Sequence, residues 1–248
     1  MKVLACIPAR YDSTRFPAKV LAKDTGKFLI QHTYERACLA KIPEKVIIAA
    51  DDKKIADAAA SFGAQCIMTS TDHKSGTDRI AQAVADIDTE IIINIQADEP
   101  EIDPQNIDAL AKLLIDNSDC PMATLAADFQ TPQQIADPNI VKVITNCSGR
   151  AVYFSRSPIP YDRETAGTGN IKLYLRHIGI YAYRKDFLLK ITSLPQTPLE
   201  KTEKLEQLRA IENGFEILVA KVKHSCDGID TPQQYADFVA RYSNKPER

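Results

Sequence analysis

The chain has 248 residues, of which 44% are hydrophobic and 26% charged, as in an ordinary soluble globular protein. This length permits one large domain, or a domain with a subdomain, around a sizeable core. Its 31 lysines and arginines and 33 aspartates and glutamates give a net charge of −2, so we expect neither a nucleic-acid nor a membrane partner. Any anion-binding site must therefore be a local concentration of positive charge.

Two further features predict a cytoplasmic location. No apolar run approaches the length of a membrane span, and the N-terminus lacks the apolar segment and small-residue cleavage site of a signal peptide. The six cysteines are widely spaced and include no C-x-x-C pair. We therefore interpret them as reduced structural residues.

The N-terminal segment combines an apolar strand with a basic loop. Val3–Ile7 is short, β-prone and ended by Pro8, as in a buried strand of a parallel sheet. Arg10, Arg15 and Lys19 follow within ten residues, at the strand end where open α/β sheets bind ligands. Three cations there indicate a strongly anionic ligand, most simply a triphosphate, although a solvated basic loop is the alternative.

Strands and helices alternate through the first half of the chain. The pattern predicts a helix at Phe28–Ala40, a strand at Val46–Ala50 and a helix through Phe62 that Asp51 and Asp52 cap. It then predicts a strand at Cys66–Met68, a helix at Arg79–Val84 capped by Thr77 or Asp78, and a strand at Glu90–Ile95. This alternation predicts an α/β fold with a parallel sheet wound in the Rossmann-like manner.

From about Asp119 the pattern changes to a mixture of strands and helices. Strands are predicted at Met122–Ala127, Val141–Thr145, Ala151–Phe154, His177–Tyr183 and Phe215–Val222, and helices at Lys185–Thr192, Lys201–Asn213 and Pro232–Tyr242. We expect one domain, residues 1–248, with halves at 1–118 and 119–248 and a smaller mixed α+β subdomain.

Two aspartates follow predicted strands. Asp98 comes directly after Glu90–Ile95, so it lies at the sheet edge that carries the Arg10 loop. A carboxylate beside a triphosphate is most simply explained by a shared Mg²⁺, although Asp98 and Glu99 could cap a turn. Asp230 could equally be a second ligand or a helix cap.

Other polar residues give weaker signals. Ser75, Thr77 and Arg79 offer donors for a base, ribose or phosphate, with an ordinary loop and helix cap as the alternative. His177 and Tyr181 are four residues apart on a predicted strand, so both lie on one face.

Together with Arg156, His177 and Tyr181 suit a substrate that carries carboxylate and hydroxyl groups, although a lone strand histidine is more often structural. Glu206, Gln207 and Arg209, on the predicted helix Lys201–Asn213, would by themselves be interpreted as a solvated polar face.

Six motifs in order resemble the 3-deoxy-manno-octulosonate cytidylyltransferase (CMP-Kdo synthetase) family: I-P-A-R-Y-D-S-T-R-F-P-A-K, M-T-S-T-D-H-K-S-G-T-D-R, N-I-Q-A-D-E-P, Y-F-S-R-S-P-I-P-Y, H-I-G-I-Y-A-Y-R and E-K-L-E-Q-L-R-A-I-E-N-G. The resemblance implies a Rossmann-like nucleotidyltransferase fold, with a mostly parallel central sheet flanked by helices. It also implies a homodimeric, Mg²⁺-dependent enzyme that transfers CMP from CTP to the sugar acid Kdo, releases pyrophosphate and serves lipopolysaccharide synthesis. CTP would bind to 1–118, and 119–248 would bind the sugar and the second subunit.

The resemblance also implies roles for individual residues. The residues that would hold the nucleotide are Pro8, Ala9, Arg10, Ser75, Arg79 and Gln96. Lys19, assisted by Arg15, would neutralise charge on the triphosphate during attack. The Mg²⁺ ligands would be Asp98 and Asp230. Those that would contact the sugar acid are His177, Tyr181, Glu206 and Gln207, with Arg156 close to that pocket.

Two departures from the family pattern bear on this expectation. Ala18 and Ala97 stand where the family usually has glycine. A methyl group is tolerable there if φ is negative and no ligand presses on Cα. The charged residues are retained, so we expect activity on Kdo; the alternatives are 8-amino-Kdo, another 2-keto sugar acid, or a non-catalytic nucleotide-binding homologue.

Overall fold

The computed structural model describes residues 1–12, 16–165, 167–223 and 228–243. They divide into two compact units, one made of 2–108 with 228–243 and the other of 109–223. No helix of the described ranges is long and apolar enough to cross a membrane.

The chain forms nine strands and nine α-helices in the residues described. The strands are β1 (Val3–Ala9), β2 (Lys45–Ala50), β3 (Gln65–Met68), β4 (Ile91–Asn94), β5 (Met122–Asp128), β6 (Lys142–Thr145), β7 (Ala151–Ser155), β8 (Leu175–Arg184) and β9 (Ile217–Lys221). The helices are α1 (Leu29–Ala37), α2 (Lys53–Ser61), α3 (Gly76–Val84), α4 (Pro104–Asp116), α5 (Pro132–Ala136), α6 (Lys185–Ser193), α7 (Pro198–Glu203), α8 (Leu208–Glu212) and α9 (Pro232–Ser243). Short 3₁₀ helices occupy Lys19–Leu21 and Ile171–Leu173.

The first unit contains a parallel sheet. β1 pairs with β2 on one side and with β4 on the other, and β2 pairs with β3. β1 and β4 are buried almost throughout, as expected for strands covered on both faces. Because all four strands run in the same direction, the loops that follow them share one edge of the sheet.

Helix α3 begins at Gly76. Ser75, not the predicted Thr77 or Asp78, is the N-cap, and its hydroxyl accepts from the N–H of Asp78 at 3.1 Å. The predicted cap was wrong because the helix begins at Gly76, before the predicted start at Arg79. Its first turn lies close to the end of β1. A Cβ at Gly76 would lie 3.1 Å from Cγ of Pro8, so only glycine allows this approach without displacement.

Helix α9 packs on the segment that follows β1. The Tyr235 ring lies 5.5 Å from that of Phe16, and its hydroxyl accepts from the N–H of Asp24 at 2.9 Å. Phe238 contacts the His32 ring at 5.2 Å and is buried with Tyr235. The last helix therefore fixes the segment that contains Lys19.

The second unit is built on β5. It pairs with β9 in parallel and with β8 in antiparallel, and β6 pairs with both β7 and β8. The register of β5 on β8 shifts, so that Thr124 lies opposite Tyr181 while Leu125 lies opposite Ile178. The bulge adds two residues to β8, an even number, and His177 and Tyr181 stay on one face as expected.

Most predicted elements are present, and the fold class is confirmed: strands that are mostly parallel, flanked by helices. Every predicted strand is found, with ends within two residues of those expected. The single helix predicted at Lys201–Asn213 was wrong, because α7 ends at Glu203 and Lys204 adopts φ 55°, a left-handed conformation. Helices α4 and α5 had not been predicted.

Ala18 also adopts a left-handed conformation, with φ 52° and ψ 27°. Among the non-glycine residues that the structure describes, only Ala18 and Lys204 have positive φ. The backbone part of the condition for alanine in place of glycine, a negative φ, is therefore met at Ala97 but not at Ala18.

We expect Ala18→Gly to raise the free energy of unfolding by about 0.5–1 kcal/mol, because relief of left-handed strain exceeds the entropy that glycine adds to the unfolded chain. Urea unfolding measures this change. Ala97→Gly is the matched control and should lower stability, since it removes a buried methyl group without relieving strain. Equal or lower stability of Ala18→Gly would contradict the strain.

Candidate active site

One lysine and two carboxylates meet at the carboxyl edge of the parallel sheet. Lys19 Nζ lies 2.6 Å from Oδ2 of Asp98, which follows β4, and 3.3 Å from Oδ1 of Asp230, which precedes α9. Lys19 is buried, with 8% of its surface exposed, and both carboxylates are partly buried. The structure thus brings together three of the residues singled out in the sequence.

The segment before α9 holds Asp98 through its backbone. Ile229 N–H donates to the carbonyl of Asp98 at 2.8 Å, and a Cβ at Gly228 would lie 3.5 Å from Oδ1 of Asp98. The segment 228–230 therefore packs closely on Asp98, which brings the two carboxylates toward each other.

The donor set suits Mg²⁺ when a ligand completes it. Carboxylate oxygens are the ligands this ion prefers, and it is usually held by one or two of them together with phosphate oxygens and water. No group of three or more His, Cys, Asp or Glu that could hold a metal occurs in the part of the chain described here. Asp98 and Asp230 therefore fit an ion that a triphosphate would share.

The other residues assigned to the nucleotide follow the ends of parallel strands. Pro8 and Ala9 end β1, Arg10 follows it and is exposed, and Ser75 caps α3. Gln96 follows β4, and its Nε2 donates to Oδ1 of Asn94 at 3.3 Å. Arg15 lies outside the described residues.

Arg79 differs from these residues, because its guanidinium is buried among protein atoms. It is 3% exposed, and it donates to Oδ2 of Asp51 at 2.8 Å, to Oγ1 of Thr69 at 2.7 Å and to the carbonyl of Ser70 at 3.2 Å. Asp51 had been interpreted only as part of a helix cap, a role that Asp52 takes.

In the second unit, His177 and Tyr181 form an aromatic cluster with Phe154. The imidazole lies 4.9 Å from the Phe154 ring and 5.5 Å from the Tyr181 ring. Its Nε2 lies 3.0 Å from Oγ1 of Thr124, whose hydroxyl donates to the carbonyl of Ile180 at 2.8 Å. Burial lowers the pKa of His177 to about 3, so the ring is neutral near pH 7 and Nε2–H donates to Thr124.

Arg156 joins the end of β7 to the end of α7. Its Nε donates to the carbonyl of Glu203 at 2.6 Å and Nη1 to that of Pro138 at 2.9 Å, and its own N–H donates to Oε2 of Glu203 at 3.0 Å. Arg156 thus places a positive charge where α7 ends, which stabilises the exposed carbonyls there.

Lys142 is a buried cation that the sequence did not indicate. Its ammonium donates to the carbonyls of Asp137, Ile140 and Arg156 at 2.6–2.9 Å, and burial lowers its pKa from the ordinary value. These contacts anchor the backbone of Arg156.

Glu206 and Gln207 lie in the turn between α7 and α8, not on a helix. Glu206 is exposed, whereas Gln207 is 4% exposed and its Nε2 has no hydrogen-bond partner among the described residues. Arg209 forms a buried double contact with Glu200 at 2.6 and 2.8 Å. The interpretation of this segment as a solvated face was therefore wrong for Gln207 and Arg209.

An unpartnered buried amide is unfavourable unless something else satisfies it. The Nε2 atom of Gln207 therefore favours a further polar partner in this unit, which water or a ligand would supply.

A parallel sheet with a lysine and two carboxylates at its carboxyl edge is the arrangement of an α/β enzyme that acts on a phosphorylated ligand. Residues 4–219 match the family model described as cytidylyltransferase, and the chain belongs to that family. Within it, the chain belongs to the 3-deoxy-manno-octulosonate cytidylyltransferases, as its curated relatives show.

It is 50% identical to the relative from Solibacter usitatus, over 94% of this chain and 91% of that protein. Identity to the relative from Syntrophotalea carbinolica is 48%, over 94% of this chain and 95% of the other. Among solved structures, a CMP:2-keto-3-deoxy-manno-octonic acid synthetase complexed with CTP is 40% identical, with a TM-score of 0.92, over 98% of this chain and 99% of that one.

We expect the His177 imidazole to stay neutral as the pH falls from 8 to about 4, because burial opposes its charged form. The unfolded chain takes up this proton near pH 6.5, so His177 contributes stability above that pH and the contribution declines as the pH falls toward 3. ¹⁵N chemical shifts of the ring, followed with pH in the folded chain and in urea, measure both states.

His177→Asn serves as the control, since it should show a shallower loss of stability below pH 6.5. Titration of the folded ring near pH 6.5 would contradict the burial argument.

Proposed function

We propose that the chain activates 3-deoxy-manno-octulosonate with CTP, to give CMP-Kdo and pyrophosphate for lipopolysaccharide synthesis. The observation that carries this proposal is the contact of Lys19 with Asp98 and Asp230 at the carboxyl edge of the sheet. The names of the curated relatives and the CTP in the related solved structure support the choice of substrates.

In the proposed reaction, the anomeric hydroxyl oxygen of the sugar acid attacks the α-phosphorus of CTP. A new oxygen–phosphorus bond forms, the bond from the α-phosphorus to the oxygen of the β-phosphate breaks so that pyrophosphate leaves, and the hydroxyl proton passes to water. Lys19 would neutralise charge that develops on the phosphates, assisted by Arg15, while Arg10 and Ser75 position the nucleotide.

The proposed nucleotide-binding set is completed by Pro8, Ala9 and Gln96, and the buried Arg79 supports the same site. The backbone at the end of β1 would contact the cytosine and phosphates, as the family resemblance implies.

Asp98 and Asp230 would hold Mg²⁺, and the bound ion would supply positive charge to the phosphate oxygens. Before the nucleotide binds, the Lys19 ammonium compensates the two carboxylates. The lysine thus allows the carboxylates of Asp98 and Asp230 to lie close together although their like charges repel each other.

The second unit would recognise the sugar acid. Gln207 offers a buried amide donor, and Glu206 is exposed beside it. His177 would contribute as a neutral, rigidly held ring next to Tyr181, and Arg156 would hold the segment that leads to Glu206.

We also propose that the enzyme is a cytoplasmic homodimer. Large apolar side chains are exposed in the second unit, among them Val152 at 51%, Tyr161 at 70% and Leu173 at 58%. Contiguous apolar patches mark interfaces between subunits, and these side chains would become buried if they belong to such a patch. Sedimentation equilibrium measures the mass in solution.

Lys19→Met and Asp98→Asn should each reduce turnover by about a hundredfold or more. The first removes a positive charge that would compensate the phosphates, and the second removes a carboxylate that would hold Mg²⁺ beside them. The measurement is pyrophosphate release from CTP, Mg²⁺ and a panel of sugar acids that includes Kdo, 8-amino-Kdo and nonulosonic acids. Lys53→Met, at an exposed position of α2, is the control and should retain the wild-type rate.

Near-normal turnover in either site variant would contradict the assigned roles. A preference for 8-amino-Kdo would change the substrate, and the absence of release with every sugar would favour a non-catalytic homologue.

Gln207→Met should raise the KM for the sugar acid about tenfold while the dissociation constant of CTP stays unchanged, because the buried amide would lose a polar contact with the sugar. The same change should not lower the melting temperature, since it removes an amide nitrogen that has no hydrogen-bond partner among the described residues. Steady-state kinetics and thermal unfolding provide the two measurements. Loss of stability without a change in KM would indicate a structural role instead.

A further inference from the structure

The carboxylate of Asp51 joins two loops at the carboxyl edge of the parallel sheet. Asp51 follows β2 directly, and its two oxygens have different partners. Oδ2 accepts from Nη2 of Arg79 at 2.8 Å, and Oδ1 accepts from the N–H of Tyr11 at 2.9 Å. The side chains of Arg79 and Asp51 are 4% and 12% exposed, so water screens the ion pair little.

Arg79 extends this connection to the end of β3. Its Nη1 donates to Oγ1 of Thr69 and to the carbonyl of Ser70, and Thr69 in turn bonds to the carbonyl of Ala50 through both its N–H and its hydroxyl. One ion pair therefore connects the segments that follow β1, β2 and β3.

The pair also brackets the proposed nucleotide-binding residues. Arg10 lies between Pro8, which touches the first turn of α3 at Gly76, and Tyr11, whose N–H bonds to Asp51. Arg79 lies on α3, one turn after its N-cap Ser75. Movement of the pair would therefore shift Arg10 and Ser75 together.

We propose that Asp51 and Arg79 form a positioning pair for the nucleotide, and that Arg79 acts through Asp51 rather than by contact with CTP. This inference rests on the proposed function, because it concerns how the same site binds CTP. Asp51 becomes a further functional residue, and its role is to hold the backbone at Tyr11 in the place that Arg10 requires.

The two roles open to Arg79 predict different patterns of CTP affinity. If Arg79 touched CTP, its loss would weaken binding strongly and the loss of Asp51 much less. If the pair acts as a unit, either loss leaves a buried charge uncompensated and should weaken binding to a similar extent. Removal of both charges should then be no worse than removal of one, because residues that act together are not additive.

The test measures CTP binding by calorimetry, without the sugar acid, for Asp51→Asn, Arg79→Met and the double variant. We expect each single variant to weaken binding about tenfold and the double variant to weaken it no further. The KM for the sugar acid at saturating CTP should be unchanged, which general damage to the fold would not allow. Asp57→Asn is the control, since it breaks the exposed Lys53–Asp57 pair of α2 and should bind CTP normally.

Arg79→Lys keeps the test decisive if the other variants fail to fold, because it retains the buried positive charge and loses only the forked geometry of the guanidinium. It should remain folded and still weaken CTP binding. Wild-type affinity in Asp51→Asn, or additive losses in the double variant, would overturn the proposal. Failure of the unaltered chain to bind CTP would instead count against the proposed function.

Discussion

The buried ammonium of Lys19 is the constraint on which the candidate site depends. A buried lysine is unfavourable unless opposite charge compensates it, and here Asp98 and Asp230 supply that charge from 79 and 211 residues away in the chain. The contacts require β1 to lie beside β4 and require α9 to fold back onto the segment after β1. The strand pairing and the aromatic packing of Tyr235 meet both requirements.

The sequence allowed part of this arrangement to be predicted. Alternating strands and helices imply parallel strands whose ends share an edge, so the proximity of Lys19 and Asp98 followed from topology alone. Asp230 stayed open between a cap and a ligand, because no local pattern shows where a helix more than 200 residues away will pack. Its position is fixed by the contacts of α9 with Phe16 and Asp24 and by the hydrogen bond from Ile229 N–H to the carbonyl of Asp98.

The residues that could not be predicted are mostly polar groups buried by distant contacts. Lys142 and Gln207 sit in segments whose local sequence gives no sign of burial. The break after α7 is similar, since Lys201–Asn213 contains good helix formers. Long-range contacts override this propensity, because Arg156 binds the last carbonyls of α7 and the Glu200–Arg209 pair holds α7 against α8.

The strain at Ala18 is best understood together with its neighbours. An alanine in the left-handed region costs about 1 kcal/mol or more relative to ordinary backbone, and such strain persists only where surrounding contacts determine the conformation. Phe16 is held by the Tyr235 ring and Lys19 by two carboxylates, so both sides of Ala18 are fixed. The backbone between them turns sharply, and the N–H of Lys19 donates to the carbonyl of Phe16 at 3.2 Å. The strain at Ala18 is therefore maintained by contacts on both sides, and it lies beside the residue on which the proposed chemistry depends.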